Sequence, residues 1–222
     1  MRAIAIDGPT GAGKSTMARE LAKRLGYVHA DTGALYRAIG YHMLCHSTDV
    51  SNEGAVEKML RDVSVELRYT DGESRVFLNS KDISEHIRSE EVSMAASAVS
   101  AYPAVRAFLL GLQRKIAENS DVIMDGRDIG TVVLPSAALK LFLTASQEDR
   151  AMRRYVQLTD SGQEADYCAV LRDLKTRDHN DSHRKAAPLT PAEDAVIVDT
   201  TGRELKESIE LIMKIVGEKF LI

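Results

Sequence analysis

Residues Gly8-Pro9-Thr10-Gly11-Ala12-Gly13-Lys14-Ser15 follow the spacing GxxxxGK[ST], and their surroundings restrict how this chain can fold. The apolar run Ala3-Ile4-Ala5-Ile6 reads as a short buried strand stopped by Asp7-Gly8-Pro9. Beyond Lys14, Ala18, Leu21, Ala22 and Leu25 recur at helical spacing, and Gly26 stands where a helix would end. The spacing therefore predicts strand, loop and helix in that order. In such a loop glycines let successive backbone N–H groups turn inward on a phosphate chain, and the helix N-terminus adds its dipole. Lys14 can neutralise β and γ oxygens, and Ser15 can bind Mg2+. A nucleoside triphosphate is the expected ligand, but the loop alone does not separate kinases from switches or motors.

Other apolar runs, Val122-Ile123-Met124, Leu139 to Leu143 and Val196-Ile197-Val198, read as further buried strands. Between them Val105, Phe108, Leu109, Leu112 and Ile116 form one helical stripe, and Leu205, Ile209, Ile212 and Ile215 or Val216 form another. Strands alternating with helices imply an α/β chain with a parallel sheet covered on both faces. One stretch differs. Val63, Val65, Leu67 and Tyr69 alternate with polar residues, Asp71-Gly72 offers a turn, and Val76 and Leu78 resume, as in a hairpin with one wet face. A local antiparallel piece in a parallel chain reads as an insertion, at about residues 60–95. From Arg150 to Pro188 charge is dense and large apolar residues are few after Leu174, which suits a segment that covers a site.

At 222 residues the chain fits one domain carrying insertions, and 29 Lys plus Arg against 33 Asp plus Glu leaves a net charge of −4. That balance points to no nucleic acid and no membrane as partner, so any anion must be gripped locally. Cys45 and Cys168 stand far apart, neither a zinc pattern nor a disulfide framework. With no signal-peptide core and no apolar run near 20 residues, a cytoplasmic protein is expected.

Three further stations carry candidate chemistry. Asp31-Thr32-Gly33-Ala34-Leu35-Tyr36-Arg37 sets a carboxylate, a hydroxyl and a guanidinium at a helix start, which serves equally as a helix cap. Asp125-Gly126-Arg127-Asp128 follows a buried strand, at the carboxyl edge where open α/β sheets bind ligands. Arg177-Asp178-His179-Asn180-Asp181-Ser182-His183-Arg184 precedes Ala187-Pro188-Leu189, and a solvated charged helix face is its alternative reading in isolation. Tyr36, Tyr102 and Tyr155 read as packing aromatics, and the histidines as solvated or capping.

With the Ser97 to Arg106 stretch containing Tyr102-Pro103, and with Gly126 to Val133, these stations resemble the bacterial-type cytidylate kinases, nucleoside monophosphate kinases of the P-loop kind. The likeness spans nearly the whole chain. It implies one domain over 1–222 with a five-stranded parallel sheet flanked by helices: a core of 1–59, 96–150 and 189–222, a small antiparallel monophosphate-binding insertion at about 60–95, and a helical lid at about 151–188. The implied reaction is ATP + CMP ⇌ ADP + CDP, with dCMP a second acceptor, Mg2+ bound through Ser15, and a monomer in the cytoplasm. The family's ATP contacts carry over to Gly8, Pro9, Thr10, Gly11, Ala12, Gly13, Lys14, Ser15 and Thr16, with Arg153 and Arg154 from the lid. Arg37, Arg127 and Arg184 look like the acceptor-phosphate ligands, Thr32, Arg106 and Asp128 like the base readers, and Ser97, Arg177 and Asp181 like the sugar contacts. Lys14, Arg127, Arg177 and Arg184 are the implied catalytic set. Thr32 stands where many members have Ser, and Asn180 and Ser182 make this lid less basic than the Arg-rich ones.

Chemistry independently favours these roles. A monophosphate oxygen is already anionic, so two polyanions held in line need charge stabilisation more than a general base. An arginine on the transferring group is worth about 10³ to 10⁵ in rate, against about 10² to 10⁴ for proton transfer. Asp128 would accept from cytosine's exocyclic amine and repel uracil's carbonyl. Two alternatives stay open: a kinase with another small acceptor, such as a different nucleotide or shikimate, and a non-catalytic nucleotide switch.

Overall fold

The computed structural model describes residues 1–70 and 73–220. Five parallel strands lie in the order β2-β6-β1-β7-β8: β1 is Ala3–Asp7, β2 Val28–Asp31, β6 Val122–Gly126, β7 Leu139–Thr144 and β8 Val196–Asp199. A second sheet is antiparallel and holds β3 (Val65–Thr70), β4 (Glu73–Leu78) and β5 (Lys81–Asp82). The helices are α1 (Lys14–Leu25), α2 (Thr32–Cys45), α3 (Glu53–Met59), α4 (Glu90–Val99), α5 (Pro103–Asn119), α6 (Gln147–Asp160), α7 (Tyr167–His183) and α8 (Leu205–Phe220). The α/β architecture expected from the sequence is present; the expected Asp71-Gly72 turn lies outside the described residues.

The central strand β1 is buried from Ile4 to Asp7, as a strand covered on both faces must be. On one side Ile4 and Ile6 pack with Leu21 of α1 and Ile212 of α8, and on the other Ala5 and Met124 meet Ile129 and Val133. Helix α1 stops at Gly26, which takes the left-handed conformation at φ 69° and donates its N–H to the Ala22 carbonyl. The antiparallel sheet shares a separate core with α2, α3, α4 and α5, in which Leu35, Ile39, Met43, Val76, Val99 and Leu109 are buried.

Three apolar expectations need correction. In β8, Val196 and Ile197 are 40% and 62% exposed while Val198 is buried, because β8 is an edge strand paired only with β7. In α5 the buried line runs Val105, Leu109, Gln113, a step of four that leaves Phe108 exposed. The α8 stripe begins one turn late, with Leu205 exposed and Ile209, Ile212 and Val216 buried. In the charged stretch, α6 and α7 bury Ala151 and Leu174 as their only apolar side chains. Among the described residues no single helix is long and apolar enough to cross a membrane.

Candidate active site

The phosphate loop leaves β1 through Gly8, whose φ of 148° and close approach to the Leu143 carbonyl exclude any side chain. Gly13 is the N-cap of α1 in the left-handed conformation, so the first helical N–H groups face the loop without a capping side chain. Lys14 is buried and donates from Nζ to the Pro9 carbonyl at 2.6 Å. Burial first, and Arg127 next, push its ammonium down to about 7. Ser15 Oγ donates to Asp125 Oδ2 at 2.6 Å. Since that bond uses the hydroxyl proton, the oxygen lone pairs stay available to a cation. A serine hydroxyl beside a carboxylate is a hard-oxygen set, and it fits Mg2+ completed by phosphates and water.

Across the sheet, β6 ends in Asp125-Gly126 and delivers Arg127 and Asp128 to the same edge. Arg127 donates to Thr10 Oγ1 of the loop at 2.8 Å and pairs through Nε with Asp181 Oδ2 of α7 at 2.7 Å. Asp128 is hydrogen-bonded to Arg106 of α5 and lies 3.7 Å from Arg184, which in turn is 3.8 Å from Asp181. Five of the predicted residues, Arg106, Arg127, Asp128, Asp181 and Arg184, thus form one network touching Thr10. Burial, and after it Arg106, push the Arg184 guanidinium down, and its Nη2 is buried without a hydrogen-bond partner. Such a cluster of cations favours an anion.

The remaining predicted residues stand around this network. Thr32 Oγ1 donates to the Asp125 carbonyl at 2.8 Å. Asp31 caps α2 by accepting from Ala34 N, as the capping reading has it, and also holds Arg37 at 2.8 Å. Ser97 is half-buried on α4, and its carbonyl accepts from Ser100 Oγ at 2.8 Å. The two arginines of α6 diverge: Arg153 binds Thr200 Oγ1 and its carbonyl after β8, and Arg154 pairs with Glu90 of α4 at 3.2 Å. Arg177 also pairs with Glu90, so both α6 and α7 reach across to α4. Thr10, Glu90, Arg154, Leu174 and Arg177 line a cleft of about 230 Å³ bounded by α6, α7 and the phosphate loop.

Sequence reasoning missed several supports. Asp7 accepts from Ile129 N and Gly130 N at 2.8 and 2.7 Å, fixing the π-helical turn Ile129–Val133 just after Asp128; burial raises its carboxyl to about 6. Arg150, nearly fully buried, donates to the Thr10 carbonyl at 2.7 Å and the Ala145 carbonyl at 2.9 Å, and pairs with Asp178 at 2.7 Å. Its spacing i, i+3, i+4 with Arg153 and Arg154 was the available signal. Tyr36 packs against the core shared by α2 and α5, as read from the sequence, and its ring also lies 5.5 Å beneath the Arg106 guanidinium.

A family model described as cytidylate kinase matches residues 4–218. A cytidylate kinase from Caldanaerobacter subterraneus is 51% identical over 207 residues, 93% of this chain and 91% of that protein. Another, from Caldicellulosiruptor saccharolyticus, is 48% identical over 223 residues, 97% of each. Among solved structures, an uncharacterized protein from Eubacterium ventriosum superposes with a TM-score of 0.54 at 12% identity, covering 97% of this chain and 98% of that one, a likeness of fold alone.

Proposed function

The chain belongs to the cytidylate kinase family, and from that premise we propose that it transfers the γ-phosphoryl group of ATP to CMP, with dCMP a second acceptor, and with Mg2+. One observation above all supports this reading: the Arg106, Arg127, Arg184, Asp128 and Asp181 network hydrogen-bonded to Thr10 of the phosphate loop. A switch needs no cluster of arginines beside its triphosphate site, whereas transfer between two polyanions does. In this proposal Gly8 to Thr16 hold the ATP phosphates. Arg153, bonded to Thr200, and Arg154 approach the donor from the lid. Arg37, Arg127 and Arg184 hold the acceptor phosphate, with Lys14, Arg127, Arg177 and Arg184 stabilising the transferring group.

Thr32, Arg106 and Asp128 read the base, and Ser97, Arg177 and Asp181 the sugar. Although Asp128 already accepts from Arg106, a carboxylate has about four lone-pair sites and retains room for an exocyclic amine. Uracil's carbonyl at that place leaves a buried acceptor facing an acceptor, which can cost about 10⁴ in discrimination. Ser15, with Asp125 beside it, would hold Mg2+, which when bound neutralises charge on the β and γ oxygens. The acceptor oxygen is already anionic, so these side chains orient, exclude water and balance charge without removing a proton. The residues divide into the core, the insertion at about 60–95 and the lid at about 151–188, and the lid closes over the cleft. A cytoplasmic monomer completes the proposal, supported in part by two free, exposed cysteines.

The decisive assay is ADP release from Mg-ATP with CMP, dCMP, UMP, AMP, dTMP and shikimate offered separately against a blank without acceptor. Fast release with CMP and dCMP, and at least a hundredfold less with UMP, is the expected pattern. A flat panel would discard phosphotransfer to CMP in favour of the switch.

A further inference from the structure

His29 lies in β2 with its ring buried against Asp125, its Nε2 2.7 Å from Asp125 Oδ1. A carboxylate accepts hydrogen bonds, so Nε2 carries the proton. The other oxygen, Oδ2, accepts from Ser15 Oγ at 2.6 Å. His29 and Asp125 are 7% and 2% exposed, so water does not compete for either oxygen. We propose that His29 is a positioning residue: by holding Asp125 Oδ1 it fixes the carboxylate so that Oδ2 draws the Ser15 proton inward and aims the serine lone pairs at the cation that accompanies ATP. This inference rests on the phosphotransfer reading above.

The geometry makes the role specific. With one oxygen claimed by the ring, the carboxylate cannot rotate to bind Ser15 through either oxygen or turn both toward the cation. The main chain of Asp125 is held as well, since its carbonyl accepts from Thr32 Oγ1 at 2.8 Å. The His29 carbonyl accepts from Ser74 Oγ of the antiparallel sheet, which pins the ring's own backbone. Asp125 is therefore gripped from the acceptor helix and from β2 while it grips the donor loop. His29 touches no reacting atom; it acts through Asp125 and Ser15. Residues that orient a cation's ligands in this way are typically worth about 10- to 100-fold in cation affinity or activity.

The test measures ATP binding by calorimetry with Mg2+ and with EDTA, and CMP binding separately, for the parent protein, His29→Leu and His29→Gln. In the parent, Mg2+ tightens ATP binding. His29→Leu is expected to lose about 10- to 100-fold of that Mg2+-dependent gain, while the affinity for ATP in EDTA and for CMP stays within twofold. His29→Gln, whose amide N–H can reach Oδ1, is expected to recover most of the gain. Should the leucine variant fail to fold, His29→Asn, whose amide stops short of Asp125, carries the same expectation. A Mg2+-dependent gain unchanged in the leucine or asparagine variant would overturn the proposal alone. Equal losses in all three affinities would also overturn it, showing a packing role only. A parent whose ATP binding ignores Mg2+ and which releases no ADP with CMP would overturn the phosphotransfer reading and this proposal with it.

Discussion

Lys14 is buried where its charge is hard to keep, and its ammonium falls from the ordinary 10.5 to about 7 because of burial first and Arg127 second. Polyphosphate oxygens against Nζ favour the charged form, so binding raises this group back toward its usual range. The sign follows: below pH 7 Lys14 is already charged and binding takes up no proton there, while above pH 7 ATP must bring a proton onto the lysine. ATP affinity is expected to fall by up to about tenfold per pH unit above pH 7, with uptake approaching one proton near pH 8. Calorimetry at pH 8 in buffers of different ionisation enthalpy measures that uptake, and identical apparent enthalpies would refute it. At this scale the sequence was legible where residues come in runs: Lys14 and Ser15 from a motif, and Arg127, Asp128, Asp181 and Arg184 from dense polar stations. It was opaque where a single side chain acts at long range. Asp7 reaches Ile129 and Gly130, and His29 reaches Asp125, across sequence gaps that no local pattern encodes.

Among the elements, the antiparallel hairpin was legible because strict alternation marks a half-wet strand, and α1 because its stripe ends on Gly26. Strand β2 was not, since Val28-His29-Ala30-Asp31 offers only two apolar residues, and its polar ones face the site. The edge position of β8 escaped for the opposite reason: an apolar run looks the same at the centre and at the rim. The least expected join is between the phosphate loop and α7. It runs through Arg150, which binds the Thr10 carbonyl with one nitrogen and Asp178 with another. Arg150→Met keeps the stem but strands Asp178, whose Oδ1 already lacks a hydrogen-bond partner, and leaves the Thr10 carbonyl unmatched. Breaking a buried pair from one side costs about 3 to 5 kcal/mol. Denaturant unfolding should show that loss, and Asp178→Asn added to Arg150→Met should cost little more, because the stranded charge is then gone. A loss below about 1 kcal/mol for Arg150→Met would show that the join carries no stability.

The whole molecule draws cationic side chains from three bodies: α1 and the end of β6 on the parallel sheet supply Lys14 and Arg127, α2 and α5 on the separate core supply Arg37 and Arg106, and α7 with its C-cap supplies Arg177 and Arg184. The bodies already touch through ion pairs. Glu90 of α4 holds Arg154 of α6 and Arg177 of α7, and Asp181 of α7 holds Arg127 of the sheet edge. In the proposed reaction these arginines must exchange carboxylates for phosphates, and no single substrate presents phosphate to all of them. ATP alone leaves the Arg106, Asp128 and Arg184 corner as it is, and CMP alone leaves the loop as it is. A ligand joining adenosine and cytidine through a phosphate chain spans both, so it fixes the proposed lid against both faces and forgoes the second loss of translational freedom. Its thermal stabilisation of the protein, at equal concentration, is expected to exceed the summed shifts given by ATP and by CMP, because stabilisation grows with the logarithm of ligand concentration over Kd. Arg184→Met should abolish the excess while leaving the shift from ATP nearly intact. A bridged ligand that stabilises no more than ATP would mean that the cytidine half never reaches the Arg106 and Asp128 corner.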